Sequence, residues 1–75
     1  MVNAALGLSG ETGEVIELVK KFRFHNKGLD VDRFAEELGD VLWYLSALCS
    51  AQNLQLSQVA ADNISKLERR YPEGF

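Results

Sequence analysis

Apolar residues recur along this chain about one or two helical turns apart: Leu8, Val15, Val19 and Phe22, then Phe34, Leu38, Val41, Leu45 and Leu48, then Leu56, Val59, Ala60, Ile64 and Leu67. That is helical spacing, not the strict alternation of a half-buried strand. Gly28, Asn53 and Pro72 punctuate the pattern, since glycine and asparagine favour turn backbone and proline cannot continue a helix. The chain therefore reads as three helices, near 4–24, 32–51 and 56–70. Asp30 or Asp32 can cap the second, and Asn53 lies just past its end. The third opens with Ser57 as its predicted cap and must stop before Pro72, which also restricts Tyr71. In the first segment Gly7, Gly10 and Gly13 each cost roughly 1 kcal/mol relative to alanine. Two readings account for them: a helix that begins only at Ser9, with Ser9 as cap, or glycines that admit a neighbouring backbone or a ligand.

The acidic residues fall at particular phases of these helices. At about 100° per residue, Glu11 projects between Leu18 and Phe22, within the apolar stripe of the first helix, and Glu14 lies about 60° further round on the same side. A carboxylate in such a stripe needs a cation, a partner or a raised pKa. On the second helix the stripe of Phe34, Leu38, Val41, Leu45, Leu48 and Cys49 has Glu37 at its margin and Asp40 beside it. Each helix thus carries two acids three residues apart on the same side of its stripe. Antiparallel packing across the short 25–31 connection would gather four carboxylates. Such a group suits Mg²⁺, with Mn²⁺ as a substitute, whereas no cysteine and histidine cluster is present for a structural zinc site. Any single pair, weighed alone, is more simply a solvated face salt-bridged to Lys20, Lys21 or Arg33. The two matched pairs favour a site. Glu17 and Glu36 face away from the stripes and read as solvent-facing charges.

Composition narrows the class further. Seventy-five residues make one domain, 1–75, with a limited core of its own. The single cysteine, Cys49, excludes a disulfide within the chain and reads as a packing residue, so a metal or a partner subunit is the expected source of extra stability. With 47% hydrophobic residues the chain should fold, and a net charge of −3 from 11 acids against 8 bases gives no footprint for a nucleic-acid polymer. No stretch approaches membrane-spanning length, and Met1 to Leu6 lacks the features of a signal peptide, so a cytoplasmic location and no membrane partner are expected.

On the third helix Asn63 lies within the stripe of Leu56, Val59, Ala60, Ile64 and Leu67, with Lys66 and Arg70 along one border. Alone, each is as well explained by a satisfied backbone group or a surface charge; beside a metal cluster, they are the donors a triphosphate requires. His25, at the end of the first helix, reads as a partner of the helix dipole. Trp43 points away from the second helix's stripe, marking a subunit contact in preference to a base pocket. Tyr44, one turn beyond Asp40, is placed to approach a substrate.

The segments Gly7-Leu8-Ser9-Gly10-Glu11-Thr12-Gly13-Glu14-Val15, Glu36-Glu37-Leu38-Gly39-Asp40-Val41-Leu42-Trp43-Tyr44 and Asn63-Ile64-Ser65-Lys66-Leu67-Glu68-Arg69-Arg70-Tyr71-Pro72 together resemble the MazG-like family of all-helical nucleotide pyrophosphohydrolases. The resemblance implies an all-α helical bundle whose core is completed by oligomerisation, as a homodimer or homotetramer. It implies magnesium held by Glu11, Glu14, Glu37 and Asp40. It further implies hydrolysis of a nucleoside triphosphate to the monophosphate and pyrophosphate by metal-activated water, with Asn63, Lys66 and Arg70, and with them Lys20 or Lys21, as substrate contacts. One departure bears on base preference: the chain begins ten residues ahead of Glu11, where the family has a further helix. The competing reading is a noncatalytic helical module for oligomerisation or nucleotide binding, which metal-dependent turnover would exclude.

Overall fold

A computed structural model describes residues 1–24 and 28–74; His25, with its expected role at a helix end, lies outside them. Among the described residues the chain is helical throughout, with α1 at Val2–Phe24, α2 at Val31–Ala51 and α3 at Leu56–Arg70. The all-helical, three-element expectation is met. α1 runs unbroken from Val2 through all three of its glycines, so a start at Ser9 is overturned.

Local chemistry explains most of the helix ends. Asp30, in extended backbone, caps α2 by accepting a hydrogen bond from the Arg33 backbone N–H at 3.1 Å. At the far end Asn53 takes φ 58°, the left-handed conformation that asparagine tolerates, and the Leu54 N–H donates back to the Cys49 carbonyl at 2.8 Å. α3 begins one residue earlier than a Ser57 cap would place it. Gln55 occupies the cap position in extended backbone and makes no side-chain capping bond; Ser57 sits within the first turn, so its backbone is already helical. α3 ends at Arg70, and Tyr71, with φ −130° and ψ 68°, has left the helical region ahead of Pro72, which disfavours helical backbone in the residue before it.

α1 and α2 pack against each other as an antiparallel hairpin, and the Gln52 side chain at the end of α2 reaches the Met1 sulfur at 3.9 Å. The partly shielded positions trace the seam: Ala4, Leu8, Glu11, Val15 and Leu18 from α1, and Phe34, Glu37, Val41, Tyr44 and Leu48 from α2. This seam is rotated from the stripes read in the sequence. Val19, Phe22, Leu38 and Leu45 stay exposed, while Leu18 turns inward. Glu11 lies in the seam, as its place within the stripe predicts, and Glu37 lies in the seam as well and not at a margin.

At Gly7 the close neighbour is a side chain, and not the backbone or ligand that the sequence reading offered. A Cβ there would overlap the Tyr44 ring, so the glycine admits a neighbouring side chain; Gly10 and Gly13 face open space. Gly7→Ala should therefore destabilise the protein by about 1–3 kcal/mol through overpacking, despite its better helix propensity. Gly10→Ala should instead add about 0.5–1 kcal/mol. Thermal melts of the two variants check the opposite signs.

α3 is different. It meets α2 only sparsely and does not contact α1. The molecule spans 39 by 37 by 18 Å, wider than two helices of about 10–12 Å diameter side by side, because α3 projects away from the hairpin. The radius of gyration is 15.3 Å, against about 11 Å for a compact domain of this length. No described residue is fully buried, and no helix is long and apolar enough to cross a membrane.

Candidate metal centre

The hairpin places the two acidic pairs face to face. Glu11 enters from α1 and Glu37 from α2 at seam positions, and Asp40 follows Glu37 by three residues, beside the seam. One carboxylate oxygen from each of Glu11, Glu37 and Asp40 falls within 4.8 Å of the others. Glu14 is outside this set of three but adjoins it, through a side-chain hydrogen bond with Glu37. All four predicted acids thus converge, three as a tight group and one beside it.

The electrostatics of the cluster are unfavourable without a cation. The Glu37 carboxyl is pushed up to about 7, first by its hydrogen bond to Glu14, which favours the protonated form, then by desolvation and by the charges of Glu14, Glu11 and Asp40. Glu11 is raised as well, by desolvation first and then by the negative charges of Glu14 and Asp40. One oxygen of Glu11 and one of Glu37 are cut off from water with no hydrogen-bond partner, although both residues remain partly accessible. The solvated-face explanation therefore fails for these two. A single ion pair occurs among the described residues, Lys20 to Glu17 at 3.7 Å, and it involves none of the four acids. Three carboxylates that each bring an oxygen within 4.8 Å of the others, two of them also carrying a shielded, unpaired oxygen, fit a hard divalent cation that takes oxygen ligands.

The domain pattern of the MazG nucleotide pyrophosphohydrolase matches residues 3–75, essentially the whole chain. The chain belongs to that family. It is 37% identical over 73 residues to the Gene 37 protein of Mycobacterium phage L5, a match covering 92% of this chain and 64% of that protein. The chain thus spans somewhat less than two thirds of the relative's length. No solved structure matches it.

The remaining predicted site residues divide into those near the four acids and those apart. Tyr44, one turn from Asp40, packs its ring over Gly7 in the seam. Lys21 lies two turns from Glu14 on the same side of α1, whereas Lys20 is engaged by Glu17. Asn63, Lys66 and Arg70 are exposed on α3, which does not touch the α1 helix that carries Glu11 and Glu14. Trp43 is 70% exposed and lines a shallow hollow with Ser46, Ala47 and Ser50. The contact between Gly7 and Tyr44 was not assigned from sequence, although an unexplained glycine one turn before Glu11 was its signal.

Proposed function

We propose that this chain is a Mg²⁺-dependent nucleoside triphosphate pyrophosphohydrolase, which splits the anhydride between the α- and β-phosphates of an NTP or dNTP to give the monophosphate and pyrophosphate. The observation that carries this reading is the convergence of Glu11, Glu37 and Asp40 around shielded, unpaired oxygens in a chain of the MazG family. Glu11, Glu37 and Asp40, with Glu14 beside them, would hold the magnesium. When bound, the ion neutralises phosphate oxygens and lowers the pKa of a coordinated water.

The chain's own residues supply the rest. Glu14 stands next to Glu37 but outside the three-oxygen group, so it is the carboxylate best placed to take the proton of the attacking water. The water's oxygen ends on one product, the bridging oxygen leaves with the other, and the proton passes to Glu14. Seam packing of Val15, Leu18 and Val41 on either side of the acids fixes their positions, as positioning of a phosphoryl reaction requires. Asn63, Lys66, Arg70, Lys21 and Tyr44 are the substrate contacts in this reading, with Lys20 first having to leave Glu17.

The same reading includes a homodimer or homotetramer. Val19, Leu38, Leu42 and Leu45 form an apolar side of the hairpin that this chain leaves uncovered, and a domain with no buried residue among those described needs such a face closed.

A panel of canonical and modified nucleoside triphosphates, incubated with Mg²⁺ and with EDTA as control, tests the reaction. Monophosphate and pyrophosphate in equal amounts, lost under EDTA, is the expected result. A folded, assembled protein that turns over no member of the panel would leave the noncatalytic oligomerisation or nucleotide-binding module in its place.

A further inference from the structure

The hairpin meets in matched rungs. Tyr44 stands opposite Gly7, Asp40 opposite Glu11, and Glu37 opposite Glu14. Each step of three or four residues along α1 is answered by an equal step back along α2, so the three rungs keep one register. The outer rung lies one turn, about 6 Å, from the level of Glu11 and Asp40. At that rung α2 contributes an aromatic ring and α1 only backbone.

The fit there is tight. A Cβ on Gly7 would stand 2.7 Å from Cδ1 of Tyr44 and nearer still to Cε1 and Cζ, where ordinary contact between carbons is about 3.5–4.0 Å. A long side chain on a helix leans back over the turn that precedes it, which for Tyr44 is the turn of Asp40 and Val41. The ring therefore lies between α1 and the layer of acids. Gly7 and Tyr44 are both partly shielded, and Leu8 and Leu48 hold neighbouring positions in the seam. The spacing of α1 and α2 at this level is thus set by one ring against bare backbone. Gly10 and Gly13 play no such part, because a Cβ on either meets open space.

We infer that Gly7 is a positioning residue for the metal centre: by letting the Tyr44 ring lie against α1, it holds the carboxylates of the two helices at a separation that favours Mg²⁺ over the larger Ca²⁺. The inference rests on the proposed metal centre for its ligands and on the Gly7 and Tyr44 contact for its mechanism. Glu11 comes from α1, and Glu37 and Asp40 come from α2, so the spacing of the helices enters any arrangement of their oxygens around one ion. Magnesium requires oxygens at about 2.0–2.1 Å in near-ideal octahedral geometry, whereas calcium accepts about 2.3–2.6 Å in looser geometry. Room for a methyl group on Gly7 needs a shift on the order of 1 Å. A part of that shift, carried one turn along the hairpin, spans the difference in ion size.

Ion binding to the nucleotide-free protein tests this without any measure of turnover. Mn²⁺ bound at pH 8 is followed by electron paramagnetic resonance and displaced in separate titrations by Mg²⁺ and by Ca²⁺, and the ratio of the two displacement constants is compared between variants. Gly7→Ala should move that ratio about tenfold towards Ca²⁺, within the range by which residues behind the ligands alter metal affinity. A general loss of folded protein weakens both ions by the same factor and cancels in the ratio. Gly10→Ala, which adds a methyl closer to Glu11 in sequence but in open space, should leave the ratio unchanged. Tyr44→Leu puts a thinner spacer in the same rung and should move the ratio the other way, and it decides the question where Gly7→Ala does not fold. An unchanged ratio in either folded variant overturns the inference and leaves the metal centre standing. A wild type that binds no Mn²⁺, or whose Mn²⁺ binding survives Glu37→Gln, removes the metal centre and the inference with it. The expected ratios in a protein that turns over no nucleotide would uphold the role of Gly7 and remove only the proposed reaction.

Discussion

Replacing Glu37 with glutamine is expected to reduce turnover by on the order of 10³-fold or more and, in magnesium-free buffer at pH 8, to raise the melting temperature. The two effects share a cause. Glu37 contributes to the group of three oxygens within 4.8 Å and has one oxygen that no group among the described residues satisfies. Glutamine keeps the shape but weakens the ligand, and a bound metal's stabilisation of phosphoryl charge is worth several kcal/mol, each 1.4 kcal/mol being about tenfold in rate. Without metal the balance reverses. The carboxyl is driven towards protonation by Glu14, desolvation, Glu11 and Asp40, so a neutral amide that can donate to Glu14 relieves the repulsion. Loss of activity together with gain of stability is the pattern of a site that holds strain for function. Glu17→Gln supplies the contrast, since Glu17 is exposed and paired only with Lys20; it should leave turnover unchanged and stability within about 0.5 kcal/mol. A Glu37→Gln protein that keeps full activity would remove the proposed centre.

The acids were legible in the sequence because helical phase is a property of spacing alone. Glu11 and Glu37 recur at the period of the apolar residues around them, and that survives any error in where the stripe is centred. The stripe centre itself was misread. Val19, Leu38 and Leu45 drew it away from the seam, because each helix carries a second apolar side that this chain leaves uncovered. Periodicity adds the two faces together and cannot tell a face turned to the neighbouring helix from one left exposed. The unbroken helix through Gly7, Gly10 and Gly13 shows the same limit, since tertiary packing of Leu8, Val15 and Leu18 offsets a local propensity cost that sequence counts in full. The direction of α3 was not legible either. It depends on the turn at Asn53 and on the small contact with α2, and an amphipathic helix has the same pattern whether its stripe meets its own chain or a partner.

Magnesium should stabilise the protein strongly at pH 8 and barely at pH 5, with the metal-free protein losing stability as pH rises between those values. The sign follows from the direction of the shifts. Glu37 titrates near 4.5 when unperturbed and at about 7 in the folded chain, and Glu11 is raised in the same sense. Between these values the folded state holds protons that the unfolded state has released, so stability falls with rising pH. The contribution is complete below about 4.5 and gone above about 7, where the acids face one another ionised. A divalent cation binds the ionised form, competes with the protons and replaces them as the neutralising charge. Its effect must therefore grow over the same interval in which the metal-free protein weakens. Thermal melts across pH 5–8, with and without Mg²⁺, measure both trends, and calorimetry in buffers of different ionisation enthalpy should detect proton release on metal binding near pH 6.5. A melting temperature equally sensitive to Mg²⁺ at pH 5 and pH 8 would mean that the ion acts elsewhere, because only a site whose ligands must first give up protons produces a stabilisation that depends on pH in this direction.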